Sequence, residues 1–205
     1  MSMAEAQQLA AQTVMAVRAG HNLSDELSSI FAAHPQLSPQ DKGALQDMAF
    51  GCQRFSGSLR FMLAEMLNKP IDNQQLESLL IVALYQLNHS RNAAHAVVNE
   101  AVSQVARIDQ GQYRSFANAI LRRFQREKDT LNSKCKTDEV AKYNMPEWLS
   151  GYLKDHYPKH WHNIITACTN HPPMTLRINC RHTTAEHYIE QLQAVGLDGK
   201  TLGDY

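Results

Sequence analysis

Residues 76–126 read LESLLIVALYQLNHSRNAAHAVVNEAVSQVARIDQGQYRSFANAILRRFQR and hold the most apolar run of the chain. Leu76, Leu79, Leu80, Ala83, Leu84 and Leu87 recur at three-and-four spacing, and Ile81, Val82 and Tyr85 make the remaining faces apolar as well. A helix that is apolar all round is surrounded by neighbours, so this one is the expected centre of a bundle. Asp72 and Gln75 supply a start signal and the polar run 88–92 an end. A second helix carries Val97, Val98, Ala101, Val102 and Val105, and a third carries Phe116, Ala117, Ile120, Leu121 and Phe124, with Gly111 between them.

Upstream, four more amphipathic patterns need this stretch to pack on. Leu9, Val14 and Val17 mark the first, closed by Gly20; Ser24 opens a second with Leu27, Ile30 and Phe31. Ser38 is a strong N-cap, because Pro39 follows at the first helical position and Asp41 falls where the helix dipole favours an anion. The third pattern buries Leu45, Met48, Ala49 and Cys52, and a fourth runs from Leu59 to Leu67 before Pro70 stops it. Seven helices joined by short linkers predict a compact bundle over residues 1–128.

Downstream the character changes. Residues 128–143 are polar and read as a linker, with 129–143 separating the bundle from a second domain at 144–205. Pro146 leads a helix with Trp148, Leu149, Tyr152 and Leu153, and Pro158 separates it from another with Trp161, Ile164 and Ile165. Pro172 and Pro173 enforce extended backbone, and residues 174–179 alternate as a strand would. Thr183 and Glu186 have capping-box spacing for a helix that ends at Gly196. One strand has no ladder partner, so the expected fold class is mainly α, a seven-helix bundle followed by a linker and an incomplete α/β subdomain, and the chain is expected to be a piece of a longer protein.

Composition limits the functional classes. An apolar content of 43% suits a globular core, and the formal charge is zero. The zero hides a local excess: residues 107–128 hold six basic side chains against two acidic ones. Cys52, Cys135, Cys168 and Cys180 form no C-x-x-C pair, so zinc is not indicated, and with no leader-like start the expected location is the cytoplasm. No apolar run reaches the roughly 20 residues that a membrane helix needs.

The segment HAVVNEAV (residues 95–102), after LIVALYQLN (80–88) and before FANAILR (116–122), resembles the NusB-like helical domain. That domain stands alone in the antitermination factor NusB and opens the RsmB/Sun family of bacterial ribosomal RNA cytosine-5 methyltransferases. MPEW (145–148) and HPPMTLRIN (171–179) are similar to segments of the methyltransferases that the factor lacks. The resemblance covers the chain from about Leu9 onward. It implies that this is the N-terminal part of an enzyme, the bundle and the start of an RNA-recognition-like subdomain ahead of a Rossmann-like domain that binds S-adenosylmethionine. In that chemistry a cysteine thiolate attacks cytosine C6 and a second cysteine assists release. The family's cysteines follow Pro and Thr, whereas these four follow Gly51, Lys134, Ala167 and Asn179, and the nine glycines form no nucleotide-binding loop. No catalytic, cofactor-binding or metal residue is therefore expected here.

What remains is the handling of small-subunit ribosomal RNA beside the chain's own C-terminal methyltransferase domain. The candidate RNA contacts are Arg107, Arg114, Arg122, Arg123, Arg126 and Lys128, with Arg54, Arg91 and Arg177. A structural reading competes, since cations near a helix end complement its dipole. For Arg54 and Arg91 a salt bridge or carbonyl cap weighs equally, and Arg177 either faces RNA or pairs with Asp155 or Glu147. His95 with Asn99 and Glu100 lacks a second ligand at metal spacing and reads as a helix-start histidine. Asn99 and Asn118 read as buried polar ties, and Trp148, Tyr152 and Trp161 as core side chains before base-stacking ones. Met1–Gln12 carries Glu5 and no basic residue, unlike the arginine-rich start of NusB. Two other functions compete with the enzyme fragment: a non-catalytic module of antitermination type, and a scaffold that only docks on its catalytic domain.

Overall fold

The computed structural model describes residues 1–169 and 174–202. Eleven helices are seen among these residues: α1 (Met3–Arg18), α2 (Leu23–Ala33), α3 (Pro39–Arg54), α4 (Ser56–Glu65), α5 (Gln74–His89), α6 (Ala94–Val105), α7 (Arg114–Cys135), α8 (Glu139–Tyr143), α9 (Glu147–His156), α10 (Trp161–Thr169) and α11 (Ala185–Ala194). They fall into two compact units, Met1–Thr169 and Asn170–Tyr205.

In the first unit α5 packs against α1, α3, α4, α6 and α7. Its residues from Leu76 through Gln86 are almost all buried, and Leu80, Val82, Ala83 and Leu84 have no exposed surface. Each such Leu contributes about 1.5–3 kcal/mol by leaving water, which is why a helix with no polar face is stable only here. A buried polar tie joins three helices here: the Gln7 side-chain NH2 donates to Gln86 Oε1 at 2.7 Å and to the Val97 carbonyl at 3.3 Å, while Gln7 Oε1 accepts nothing among the described residues.

Local signals act where the sequence places them. The Ser38–Asp41 capping box opens α3 with Pro39 at its first position, and Gly20 closes α1 at φ 100°. Two caps sit elsewhere than expected. Asn22, not Ser24, caps α2, and Asn73 caps α5 by accepting from the Leu76 N–H. Both asparagines stand immediately before the first helical residue, where a side-chain oxygen reaches the free amides.

Residues 128–143, expected as a linker, are helical. α7 runs on to Cys135 with Leu131 and Cys135 buried, and α8 packs on α4. Gly57 permits that approach, because a Cβ there would lie 2.3 Å from the Val140 carbonyl oxygen. Asn144, left-handed at φ 49°, then accepts from the Ser58 N–H at 2.8 Å. Tyr143, Leu153 and Ile165 build a small second core, with Trp161 edge-on to Tyr143 and the Tyr143 hydroxyl 2.8 Å from His162 Nε2. Trp148 and Tyr152, by contrast, are not core: they are 72% and 50% exposed on α9.

The second unit corrects the strand. Residues 174–179 have no regular structure, and no strand occurs among the described residues. The backbone there has no partner to form a ladder with. The Pro172–Pro173 pair lies outside the described residues. Thr184 rather than Thr183 caps α11, accepting from the His187 N–H at 3.3 Å, and Gly196 ends it at φ 78°.

Candidate nucleic-acid interface

The basic cluster lies on α7, and the length of that helix changes its meaning. Arg122, Arg123, Arg126 and Lys128 are not in a last turn, since the helix extends to Cys135 and the last-turn cation is Lys134. Complementing the dipole of their own helix therefore explains none of the four.

The buried stripe of α7 is Ala117, Ile120, Leu121, Phe124, Leu131 and Cys135. Arg114, Asn118, Arg122 and Arg126 follow one another at four-residue steps, so they form a slanting column that climbs about 18 Å at 1.5 Å per residue while winding about 120° around the helix. The three arginines are exposed. Arg122 Nε donates to Asn118 Oδ1 at 3.0 Å, which steers its guanidinium along the column. Asn118 is thus half-buried and Asn99 exposed, so neither is the buried tie expected of it. Arg114 and Arg126 make no ion pair or hydrogen bond among the described residues. Arg114 also occupies the first position of α7, where the positive end of the dipole disfavours a cation by a few tenths of a kcal/mol. Fold stability gives no reason for it.

Arg123 and Lys128 are employed differently. Arg123 Nε pairs with Glu127 at 3.0 Å and its Nη1 donates to the Met66 carbonyl, the C-cap of α4, at 3.1 Å. Lys128 Nζ donates to the carbonyls of Leu87 at 2.8 Å and Asn88 at 3.5 Å, in the last turn of α5. Beside it the amides of Asn88 and Asn132 exchange hydrogen bonds. These two cations neutralise the negative ends of neighbouring helices. The Lys128 charge also bears on His89, whose imidazole is held below its ordinary value first by burial and then by this ammonium.

The other candidates are separate. Arg107 is exposed just after α6, ahead of a tight turn in which Asp109, Gln110 and Gly111 all have positive φ and Asp109 accepts from the Asn73 side chain at 3.1 Å. Arg54 is exposed at the end of α3 and Arg91 after α5, neither with an ion pair or hydrogen bond among the described residues. Arg177 is exposed in the second unit. His95 is exposed at the start of α6.

A seven-helix bundle around an apolar central helix, with arginines aligned on its last long helix, is the architecture of a recognised class. Residues 4–126 match the NusB family, and the chain belongs to it. Residues 145–204 match the Methyltr_RsmF/B-like, ferredoxin-like domain. Among curated relatives, the chain is 36% identical over 173 residues to the ribosomal RNA small subunit methyltransferase B of Pseudomonas syringae pv. tomato, covering 83% of this chain and 39% of that protein. It is 33% identical over 181 residues to the protein of the same name from Vibrio vulnificus, covering 87% and 42%. With the Salmonella enteritidis protein of that name the figures are 32% over 200 residues, 96% and 46%. The chain thus spans less than half the length of these relatives.

Proposed function

We propose that this chain is the N-terminal RNA-binding region of an S-adenosylmethionine-dependent small-subunit ribosomal RNA cytosine-5 methyltransferase. Residues 1–128 are its RNA-binding domain, 129–143 a helical connection and 144–205 the start of the subdomain that leads to the catalytic part. The α7 column carries the reading: three exposed arginines share one helix face, and one of them opposes the dipole of its own helix. Such a face neutralises successive phosphates.

The described residues do not fit S-adenosylmethionine. Among the described glycines, Gly43, Gly51, Gly57 and Gly151 stand inside helices, Gly20, Gly111 and Gly196 at helix ends or turns and Gly199 in the irregular segment after α11, so none of these opens a strand-to-helix loop of the kind that cradles a nucleoside. The cofactor, and the cysteine that attacks the base, belong to the remainder of the full-length protein. In the cell the protein works in the cytoplasm, where ribosomal RNA is available.

The test is the salt dependence of binding to small-subunit ribosomal RNA hairpins. Replacing Arg114, Arg122 and Arg126 together by Ala should lower the slope of log K against log salt by about 2 to 3, since each phosphate that a cation neutralises adds about 0.7–0.9 to it. An unchanged slope would overturn the assignment and leave the bundle as a scaffold.

A further inference from the structure

The face of α3 turned toward the C-terminal half of α5 holds a depression of about 430 Å³ lined by Gly43, Asp47, Phe50, Gly51, Arg54 and Tyr85 among others. It is an open depression rather than an enclosed cavity, so a ligand would lie on it with one face in water. Its floor is rigid: the Tyr85 ring is buried against Gly51, where a Cβ would come within 2.1 Å of it, and Phe55 and His89 stack behind at 3.9 Å between ring centres. Phe50 stands at the rim, 45% exposed, and no packing explains its display.

Gly43 is a second, independent observation. It sits inside α3, where glycine weakens a helix relative to alanine, yet a Cβ there would meet nothing within 4 Å. Neither a close approach nor a positive φ requires it. It lines the depression, and a larger side chain there would project into open space beside it.

The polar groups are placed for a planar ligand with a two-sided edge. The Tyr85 hydroxyl donates to Asp47 Oδ2 at 3.1 Å, which fixes the carboxylate and leaves its second oxygen to accept. Arg54 lies two turns along the same helix and forms no ion pair with Asp47. An acceptor and a fork of donors therefore flank one aromatic surface without neutralising each other.

We propose that this depression binds a single unpaired nucleobase carrying an exocyclic amino group, stacked on Phe50, with the amine donating to Asp47 and ring or carbonyl acceptors facing Arg54. The choice of a nucleobase over other planar ligands rests on the RNA-binding reading above. Uracil, which has no amine, is disfavoured.

The experiment is a titration of the full chain, labelled with ¹⁵N, with CMP, AMP and UMP and with a single-stranded RNA, following the Gly43 and Gly51 amide signals. Saturable shifts with CMP and AMP, at least about tenfold weaker with UMP, are expected. Gly43→Leu should abolish them while leaving the thermal midpoint unchanged or higher, and Asp47→Asn should remove the preference over UMP. Absence of nucleotide-induced shifts, or shifts that survive Gly43→Leu, would overturn the proposal, as would shifts produced only by an aromatic or arginine-containing peptide. RNA binding that keeps its α7-dependent salt slope while the two amides stay still sinks the pocket alone. Amide shifts with a slope indifferent to α7 sink the α7 assignment alone.

Discussion

Replacing Lys128 by Met keeps the aliphatic stem and removes the ammonium that closes α5 from α7. Two carbonyls in the last turn of α5, those of Leu87 and Asn88, then lose their donor in a half-buried setting. A hydrogen bond from a charged group contributes about 1.5–3 kcal/mol, and a cation at a helix C-terminus about 0.3–1 kcal/mol. With some replacement by water, the expected loss is about 2–3 kcal/mol, read from urea unfolding at pH 7.5. The pH dependence gives a second, signed readout. His89 has a folded value below the ordinary 6.5, from burial first and Lys128 second. The unfolded chain therefore binds the proton more readily, and stability present above about pH 6.5 is lost as pH falls below it. Without Lys128 the imidazole value rises, so this loss becomes shallower and the destabilisation is smaller at pH 5.5 than at pH 7.5. An unfolding midpoint equal to that of the unsubstituted chain at both pH values would refute the capping role. A weaker RNA salt slope with unaltered stability would return Lys128 to the interface.

Gly51→Ala should destabilise by about 1–3 kcal/mol, because the new methyl overlaps the Tyr85 ring and that ring is held by its hydrogen bond to Asp47; thermal unfolding measures it, and a neutral result would mean that the ring moves freely. Ser38→Ala should cost about 1 kcal/mol through loss of the α3 cap. It also raises the Asp41 carboxyl, which is lowered first by the Ser38 hydroxyl and then by the chain's amino group. The folded value of Asp41 lies below the unfolded one, so its stabilisation is lost as pH falls through the folded value. Acid unfolding should therefore be less steep in the variant.

The bundle was legible because its message is carried by short-range periodicity. α5 announces its burial through apolar side chains on every face, and Ser38-Pro39-Asp41 states a helix start within four residues. The second half of α7 was hidden because only Leu131 and Cys135 continue the stripe after Phe124, and Lys128 stands at the position between, contributing its stem rather than an apolar tip. The strand at 174–179 was over-read: alternation describes a side-chain pattern, whereas a strand also needs a neighbour. The arrangement of the cations was half legible. Charge counting found all six cations of residues 107–128, yet separating Arg114, Arg122 and Arg126 from Arg123 and Lys128 depends on where α4 and α5 end in space. Helical spacing alone did align 114, 118, 122 and 126 and could have drawn that distinction for the outer column. Trp148 and Tyr152 share α9 with the buried Leu153, and the size of an aromatic ring does not say which side of a helix is covered.

The four cysteines differ in what they offer to solvent. Cys52 is buried, and burial followed by the nearby Asp47 pushes its thiol far up; Cys135, also buried, is pushed up to about 11 by burial and then Asp138. Neither offers a thiolate near neutral pH. Cys168 on α10 and Cys180 ahead of α11 are both exposed, one in each compact unit. A maleimide dye pair will therefore load at two sites without any engineered substitution. The unaltered chain therefore carries one dye position in each unit, with no substitution to disturb either.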